Sequence, residues 1–514
     1  MPPRRASSAM AAATSTGSCP GDERSACSGA DGRTAPVKPR LAVAALSACV
    51  FVGALLRLSA LGLHSLWFDE LATLHVTHAP DLTEVLARDR HPPLFYWLLA
   101  RWERLFGDGE GALRALPALI SCGGLLVFAC TLHQLARRER ITSATAFASV
   151  AVYALSPFSI WYAQELRAHS MLEFSGALAL ASLVAAQAGR VKSAAACGAL
   201  ATALGVGSHY LGGLLIPALV AAGALLWSRE RGDRVRVFAP ALGALLGFAV
   251  WLPWLIEMLP KQNATYWQPL GRLGARDLLE LPARLVLVEL ADLDAFTTGC
   301  ALGVAALIYL GLVLSMAAAV RRRFGFEAVA LVAAIAYLGT ALALALLVSP
   351  NFLPRYLIGA APFLLVAIGA GLAALQPRAL SSAAVVLLLA GCAAIVGAHR
   401  MHGAKQDFRA AFSAVESSWL PGDRVAVLAG GFDGFAESPA RYYLRGRPEL
   451  LAALVPTAEL LALPARTDRG LRLHVVVYDA PFTGAEVAAL LAAAAEFSEQ
   501  RFAKDVRHLL IRWP

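Results

Sequence analysis

The chain has 514 residues, of which 58% are hydrophobic and only 16% are charged. Soluble domains typically carry about 25% charged and about 45–50% apolar residues, so this composition indicates an integral membrane protein. The net charge is +9, but the basic residues form short clusters between apolar runs. This pattern excludes a nucleic-acid partner, which would require a continuous basic face interleaved with aromatic residues.

The chain begins with a polar leader and continues with apolar runs. Residues 1–40 are rich in Ala, Ser, Gly, Pro and Arg, which predicts a disordered cytoplasmic leader. The next run is too long for a signal-peptide core and predicts a retained first helix. Runs long enough to span a membrane recur over residues 41–400. They predict eleven transmembrane helices at residues 41–63, 112–135, 141–160, 170–188, 193–208, 211–228, 237–257, 299–320, 328–348, 357–375 and 379–398.

The loops between alternate helices are short and basic, as the positive-inside rule requires of cytoplasmic loops. These loops are residues 137–140, 190–192, 229–236, 321–323 and the position of Arg378. With the leader inside, an odd number of helices places residues 401–514 outside the cytoplasm. We therefore expect a multi-pass protein of the cell membrane, embedded in the lipid bilayer, with an extracytoplasmic C-terminal domain.

From about residue 401 the composition becomes that of a soluble domain. Helical periodicity over 407–419 is followed by strand patterns at 423–428, 473–478 and 506–513, with a helix expected at 484–497. The predicted fold class is therefore an α-helical polytopic membrane protein with about eleven transmembrane helices and a small C-terminal α/β soluble domain.

Two adjacent carboxylates, Asp69 and Glu70, follow the first helix in a long outer loop of about residues 64–111. Carboxylates at a membrane surface are costly to desolvate unless they have a partner or a role. One such role is catalytic, because a carboxylate can act as a general base toward an attacking hydroxyl. The alternative is a solvated pair of loop acids.

The same loop contains His91, which precedes Pro92 and Pro93. The two prolines suit the first turn of a helix, so the segment is either a helix start or a substrate-binding element. The loop also contains other histidines, but their spacing matches no strong metal-ligand pattern; they are His64, His75 and His78. The sequence identifies no certain cofactor and leaves a divalent metal open.

Three further segments place polar side chains at the outer ends of predicted helices. The first lies after the third helix and offers an arginine whose guanidinium matches phosphate oxygens; it contains Tyr162, Gln164, Glu165, Arg167 and His169. The alternative for this segment is an internal ion pair between Glu165 and Arg167. The second and third segments contain His209 with Tyr210 and Arg355 with Tyr356. There the alternatives are a polar helix break and a snorkelling arginine.

The order, spacing and sidedness of these segments resemble the bacterial C-class (GT-C) integral-membrane glycosyltransferases related to dolichyl-phosphate-mannose protein mannosyltransferases. The resemblance covers about residues 41–400 and rests on motifs that stand here at residues 69–70, 91–97, 161–167, 208–210 and 354–356. Many members have a tyrosine where this chain has His169, so a tyrosine contact is not implied at that position.

The resemblance implies an inverting transfer from a polyprenyl-phosphate-linked sugar donor to a hydroxyl of a glycan, lipid or protein acceptor at the outer face. It implies that Asp69 is the base and Glu70 its neighbour or an acceptor ligand. Arg167 and Arg355 would hold the lipid phosphate, and the other polar residues of the segments would bind substrate.

Two other functions remain open on the sequence. A lipid-linked-sugar flippase or transporter would also have about eleven helices, but transporters tend to place their sites near the bilayer midplane. A ligase or polymerase that uses lipid-linked sugars would concentrate its working residues in one large later outer loop. The early position of Asp69 and Glu70 favours the transferase over both.

Overall fold

A computed structural model describes residues 39–86, 91–230, 233–258, 274–288, 294–321, 325–348, 353–401, 405–429, 435–460, 470–478 and 480–513. The leader up to residue 38 and parts of the predicted basic loops at 229–236 and 321–323 lie outside these residues. Helices form most of the described chain, and strands occur only in its C-terminal part.

The membrane part follows the apolar runs of the sequence. In chain order its helices are α1 (Pro39–Leu58), α2 (Phe68–Thr77), α3 (Leu82–Leu86), α4 (Leu94–Phe106), α5 (Glu110–Arg137), α6 (Ser143–Leu155), α7 (Pro157–Ala163), α8 (His169–Gln187), α9 (Val191–Ser208), α10 (Leu215–Glu230), α11 (Arg234–Met258), α12 (Ala275–Arg284), α13 (Ala295–Arg321), α14 (Phe326–Leu347), α15 (Ala361–Ala373) and α16 (Arg378–Met401). Short 3-10 helices, Tyr210–Leu214 and Pro354–Ala360, lead into α10 and α15.

The number of spans agrees with the sequence prediction. Ten helical segments in the described chain are long and apolar enough to cross a membrane, or eleven when α6 and α7 count as one bent span. A helix needs about 20 apolar residues to cross a bilayer, so the number of spans can be predicted from the lengths of the apolar runs. The predicted third helix is this bent pair.

The bend between α6 and α7 measures 49° and lies at Ser156. The Ser156 hydroxyl accepts a hydrogen bond from the backbone N–H of Ser159 (3.2 Å) and donates one to the Val286 carbonyl (2.8 Å). Pro157 then occupies the first turn of α7, where its missing N–H costs nothing. The new helix direction carries residues 164–169 toward α2.

The first helix is shorter than the predicted 41–63, because it ends at Leu58. Ala60 adopts a left-handed backbone with φ of 61°, which a continuing helix does not allow. The last carbonyls of α1 are satisfied from distant parts of the chain. The Gln164 amide donates to the carbonyls of Leu56, Arg57 and Ser59 at 3.0, 3.1 and 2.8 Å.

The C-terminal domain contains the predicted α/β elements. They are α17 (Phe408–Ser418), β1 (Arg424–Ala429), α18 (Ser438–Tyr443), α19 (Pro448–Ala452), β2 (Leu454–Val455), α20 (Thr457–Leu460), β3 (Arg472–Tyr478), α21 (Ala480–Ala492), β4 (Glu496–Arg501) and β5 (Arg507–Arg512). The sheet order is β2-β1-β3-β5-β4. Strand β1 runs parallel to β2 and β3, whereas β5 runs antiparallel to β3 and β4.

The helix predicted at 484–497 is wrong at its C-terminal end. Helix α21 stops at Ala492, and the residues from Glu496 form the edge strand β4. Every residue of β4 is exposed, so hydrophobic periodicity gives no sign of a strand there. The strand forms because it pairs in register with β5, which is a tertiary effect.

The C-terminal domain and the loop between α1 and α5 share one hydrophobic core. Buried side chains of α2 and α4 pack with those of α17 and β1; they include Leu66, Phe68, Leu71, Phe95, Phe408, Phe412 and Val425. The Tyr443 hydroxyl accepts a hydrogen bond from the backbone N–H of Leu66 at 2.7 Å. The domain therefore fixes the position of the loop that contains Asp69.

Candidate active site

Asp69 and Glu70 lie in the first turn of α2. Trp67 precedes the helix in an extended conformation, and its backbone N–H donates to Glu70 Oε2 at 3.2 Å. The backbone N–H of Phe68 donates to Oε1 of Gln406, from the segment before α17, at 3.0 Å. The partial positive charge at a helix N-terminus favours carboxylates at both positions.

Glu70 is completely buried, and both of its carboxylate oxygens accept hydrogen bonds. Arg114 donates to its two oxygens at 2.8 and 2.5 Å, and the backbone N–H of Leu166 donates at 2.8 Å. The Lys405 ammonium lies 3.6 Å away. Burial alone would raise the pKa of Glu70, but the charges of Arg114 and Lys405 and these hydrogen bonds lower it to about 2. Glu70 is therefore ionised at neutral pH.

Arg114 lies on α5 and contacts the segment between α1 and α2. Its guanidinium donates to the carbonyls of Leu61 (2.9 Å), His64 (2.6 Å) and Ser65 (2.8 Å), in addition to Glu70. These bonds satisfy the backbone between α1 and α2 that would otherwise be buried without partners. The sequence prediction did not include Arg114, Lys405 or Gln406. Their only sequence signal is a charged or polar residue at the edge of an apolar run.

Asp69 faces a different environment from its neighbour. Its side chain is 23% exposed, and one oxygen lies 3.9 Å from nitrogens of both Arg167 and Arg355. Arg167 also donates to the Asp69 carbonyl (3.3 Å) and to the Thr73 hydroxyl (3.1 Å), which fixes its direction. Arg167 and Arg355 come from two distant segments, and both therefore lie beside the carboxylate of Asp69. All three residues were candidates from the sequence.

Glu165 and His169 form a second buried group beside this centre. Their side chains are 1% and 2% exposed, and His169 Nε2 lies 4.0 Å from Glu165 Oε1. Neither side chain makes a hydrogen bond within the described residues. Burial raises the pKa of Glu165 to about 7, although Lys405 and Arg355 oppose the shift. Buried polar groups normally have hydrogen-bond partners, so these two side chains have the capacity to bind polar groups of a substrate.

Histidine and tyrosine rings line the space next to Asp69 and the arginines. The rings of His91 and His209 are 5.5 Å apart, and those of His209 and Tyr356 are 4.8 Å apart. The His169 ring lies 5.0 Å from that of Tyr162 and 6.2 Å from that of Tyr356. Five predicted substrate-binding residues therefore form one continuous aromatic wall.

Two predicted binding residues occupy other places. The Gln164 side chain points to the end of α1, where its amide nitrogen is bonded to three carbonyls. Tyr210 is partly exposed and begins the 3-10 helix that follows α9. No group of three or more His, Cys, Asp or Glu side chains with metal-binding geometry occurs among the described residues. In the first loop, His78 pairs instead with Glu103 at 2.9 Å.

Comparison with known proteins gives a family-model match over part of the chain and a similar fold over most of it. Residues 90–256 match the family model described as dolichyl-phosphate-mannose-protein mannosyltransferase. The structure is similar to ArnT from Cupriavidus metallidurans in the apo state, with a TM-score of 0.58 and 16% identity over 92% of this chain and 98% of that chain. For the same protein bound to undecaprenyl phosphate the TM-score is 0.56, with 16% identity over 93% and 98% of the two chains. No curated protein sequence matches.

At this level of identity the likeness to solved structures concerns the fold. It extends over nearly the whole of both chains, so it includes the bundle, the loop helices and the C-terminal domain. The predicted fold class, an α-helical membrane protein with a small C-terminal α/β domain, is confirmed.

Proposed function

We propose that this chain, a C-class membrane glycosyltransferase related to the dolichyl-phosphate-mannose protein mannosyltransferases, moves a sugar from a polyprenyl-phosphate-linked donor to an acceptor hydroxyl. The match of residues 90–256 confirms the relationship to that family and the enzyme class that the sequence predicts. The donor, the acceptor and the sidedness are parts of the proposal. The short basic loops support a reaction at the outer face of the cell membrane.

The observation that carries the proposal is the position of Asp69 between Arg167 and Arg355, each 3.9 Å from the same carboxylate oxygen. A base next to two guanidinium groups fits a reaction in which a hydroxyl loses a proton while a phosphate gains charge as it leaves. Arg355 Nε is also buried and has no hydrogen-bond partner within the described chain, so it can donate to a phosphate oxygen.

In the proposed reaction, Asp69 takes the proton from the acceptor hydroxyl as its oxygen attacks the anomeric carbon of the sugar. The bond between that carbon and the phosphate oxygen breaks, and its electron pair leaves with the lipid phosphate. Arg167 and Arg355 stabilise the charge that develops on this leaving group. Attack from the face opposite the phosphate inverts the configuration. A phosphate leaves as an anion, so no separate general acid is needed.

The residues around Asp69 and the two arginines have separate proposed roles. Within the aromatic wall, His91, His209, Tyr162 and Tyr356 contact the sugar and exclude water. Glu165 and His169, whose polar atoms lack hydrogen-bond partners within the described chain, bind sugar or acceptor hydroxyls.

Glu70 acts through its pair with Arg114 by holding the first turn of α2, and therefore Asp69, in place. Gln164 supports the same site from the end of α1. Tyr210 is proposed as a binding residue only through its position next to His209.

The proposed donor class has support from one similar structure. ArnT from Cupriavidus metallidurans was solved bound to undecaprenyl phosphate, and its fold extends over most of this chain. A polyprenyl chain needs an apolar surface, which the lipid-facing helices provide, and a phosphate needs the two arginines.

The experiment that tests the function uses the full-length wild-type protein in membranes with a panel of radiolabelled polyprenyl-phosphate sugars. Nucleotide sugars with the same sugar groups serve as matched donors without the lipid. We expect transfer from at least one lipid donor and none from the nucleotide sugars. Transbilayer movement of an intact lipid-linked sugar without transfer would instead support the flippase alternative.

A further inference from the structure

A cavity lies between the C-terminal ends of α1 and α16 and the α7 segment. Leu61, Trp161, Gln164 and Val396 are among its lining residues. Its volume of about 40 Å³ gives room for roughly three water molecules, and so for a small polar headgroup. Within the described residues its lining includes neither Asp69 nor the two arginines next to it.

The ionisable side chains that line this cavity are all basic. They are His64, Arg114, His399, Arg400 and Lys405, and no acidic side chain lines the cavity within the described chain. They come from three separate parts of the sequence, the α1–α5 region, the end of α16 and the segment before α17. The fold therefore collects basic groups at this end of the bundle.

The carboxylates behind the cavity do not balance its cations. Arg114 and Lys405 share one carboxylate, that of Glu70, at 2.5 and 3.6 Å. Glu165 also acts on Lys405, but burial raises its pKa to about 7, so it is only partly ionised at neutral pH. The Arg400 guanidinium has only neutral partners in the described structure, the Leu56 carbonyl at 2.7 Å and the Ser59 hydroxyl at 2.9 Å.

Arg400 also has a buried nitrogen, Nε, without a hydrogen-bond partner in the described part of the chain. Arg400 is half-buried, and a cation that is partly removed from water is stabilised by a counter-charge. An anionic ligand in the cavity would provide that charge. It would also meet a group that can donate two parallel hydrogen bonds to a phosphate.

His64 lies among the same basic residues. Burial lowers the pKa of its imidazole, and the neighbouring Lys405, Arg114 and Arg409 lower it further, while Asp407 acts in the opposite direction. Three cations near one half-buried imidazole indicate an electropositive cavity.

We propose that this cavity binds a phosphate group, with Arg400 and His399 as contacting residues and Lys405 at its inner end. The phosphate comes from a lipid headgroup or from free inorganic phosphate. The adjacent surface of α1 is apolar and exposed, with Leu55 at 57% and Leu58 at 40%, and it offers a path for acyl chains. The lining does not include Arg167 or Arg355, which are the proposed contacts of the donor phosphate, so one phosphate can occupy each site.

The test measures binding of phosphatidic acid to the full-length protein in detergent by native mass spectrometry. Diacylglycerol with the same acyl chains is the matched ligand without phosphate, and inorganic phosphate is the matched ion without chains. We expect phosphatidic acid to bind at least about tenfold more tightly than diacylglycerol, because charge-assisted hydrogen bonds to phosphate are lost in the latter. Binding of inorganic phosphate alone would identify the free ion as the source.

Substitutions of single residues show whether phosphate binds in this cavity or elsewhere on the protein. Arg400→Gln and His399→Gln should each weaken phosphate binding about tenfold, whereas Arg101→Gln, which removes an exposed cation elsewhere, should not. Arg355→Gln removes a cation of the proposed donor site and should leave this binding intact. Arg400 also caps α1, so His399→Gln provides the result if the Arg400 variant does not fold. Binding that depends on Arg355 alone, or on neither cavity residue, would overturn the proposal.

Discussion

Asp69 and Glu70 are adjacent in sequence, but their carboxylates have separate partners. Glu70 turns inward to Arg114 at 2.5 Å, whereas Asp69 turns to the space between Arg167 and Arg355. The first carboxylate is buried and ion-paired, and the second remains partly exposed. This division separates a residue that positions the loop from a residue that faces the two arginines of the proposed donor site.

The buried ion pair between Glu70 and Arg114 should stabilise the folded protein. Glu70→Gln leaves Arg114 buried without its counter-charge, which typically costs about 3–5 kcal/mol. We expect a clear decrease in the thermal unfolding temperature of the purified protein. Glu280→Gln is the matched control, because it removes an exposed carboxylate paired with Arg276 and Arg284 on α12. Such surface pairs contribute about 0–1 kcal/mol. Equal unfolding temperatures for the two variants would contradict the structural role of Glu70.

Glu70 also predicts an acid limit to stability. Its pKa falls from an ordinary 4.5 to about 2 in the folded protein, so the unfolded chain binds the proton more readily. The stabilisation, about 3 kcal/mol, is therefore complete above pH 4.5 and is lost as the pH falls toward 2. Unfolding temperatures measured from pH 7 to pH 3 should show a smaller acid-dependent decrease in Glu70→Gln than in wild type. Parallel curves would exclude this contribution.

The two arginines should control use of the donor. Arg167→Ala and Arg355→Ala each remove charge-assisted contacts to the proposed lipid phosphate, worth about 1.5–3 kcal/mol per hydrogen bond. We expect the KM for the lipid-linked donor to rise about 10- to 100-fold, with little change in the KM for the acceptor. Arg101→Ala, an exposed arginine on α4, is the control for general loss of positive charge. An unchanged donor KM in both site variants would remove the phosphate role.

Glu165 should give donor binding a dependence on pH near neutrality. Burial raises the pKa of this carboxyl to about 7, so it is neutral below pH 7 and gains a negative charge above it. That charge appears in the site beside Arg355 and repels a phosphate, so donor affinity should fall as the pH rises through 7. Glu165→Gln stays neutral and should bind the donor with a flat profile from pH 6 to 8. Wild type and variant with the same slope would exclude Glu165 as the titrating group.

Much of this arrangement follows from the sequence because apolar run length and charge position are local signals. The eleven runs give the bundle, and the polar residues at their ends give Asp69, Arg167 and Arg355 as candidates for one site. Local sequence patterns could not show which of Asp69 and Glu70 is buried, because both are carboxylates in the same stretch of chain; only the family resemblance assigned the base to Asp69. Only the packing of α5 and of the segment before α17 decides which carboxylate is buried.

Other features depend wholly on tertiary structure. Lys405 and Gln406 lie in a short polar segment after α16, and nothing in their neighbourhood indicates that they contact residues 68–70. The motif predicts that Gln164 binds substrate, because its neighbours in the motif are candidate binding residues. In the structure its amide nitrogen donates hydrogen bonds to carbonyls at the end of α1. Strand β4 has no apolar alternation and forms through its partner β5.

The most direct test of the account is sugar transfer from the accepted polyprenyl-phosphate donor by wild type and Asp69→Asn in matched membranes. Asp81→Asn, a substitution of an exposed acid in the same loop, controls for loss of charge. Loss of a general base costs about 10²- to 10⁴-fold in rate. We therefore predict that Asp69→Asn inserts normally and loses transfer by at least about a hundredfold, while Asp81→Asn stays near wild type. Transfer by Asp69→Asn at the wild-type rate would contradict the central claim that Asp69 is the base.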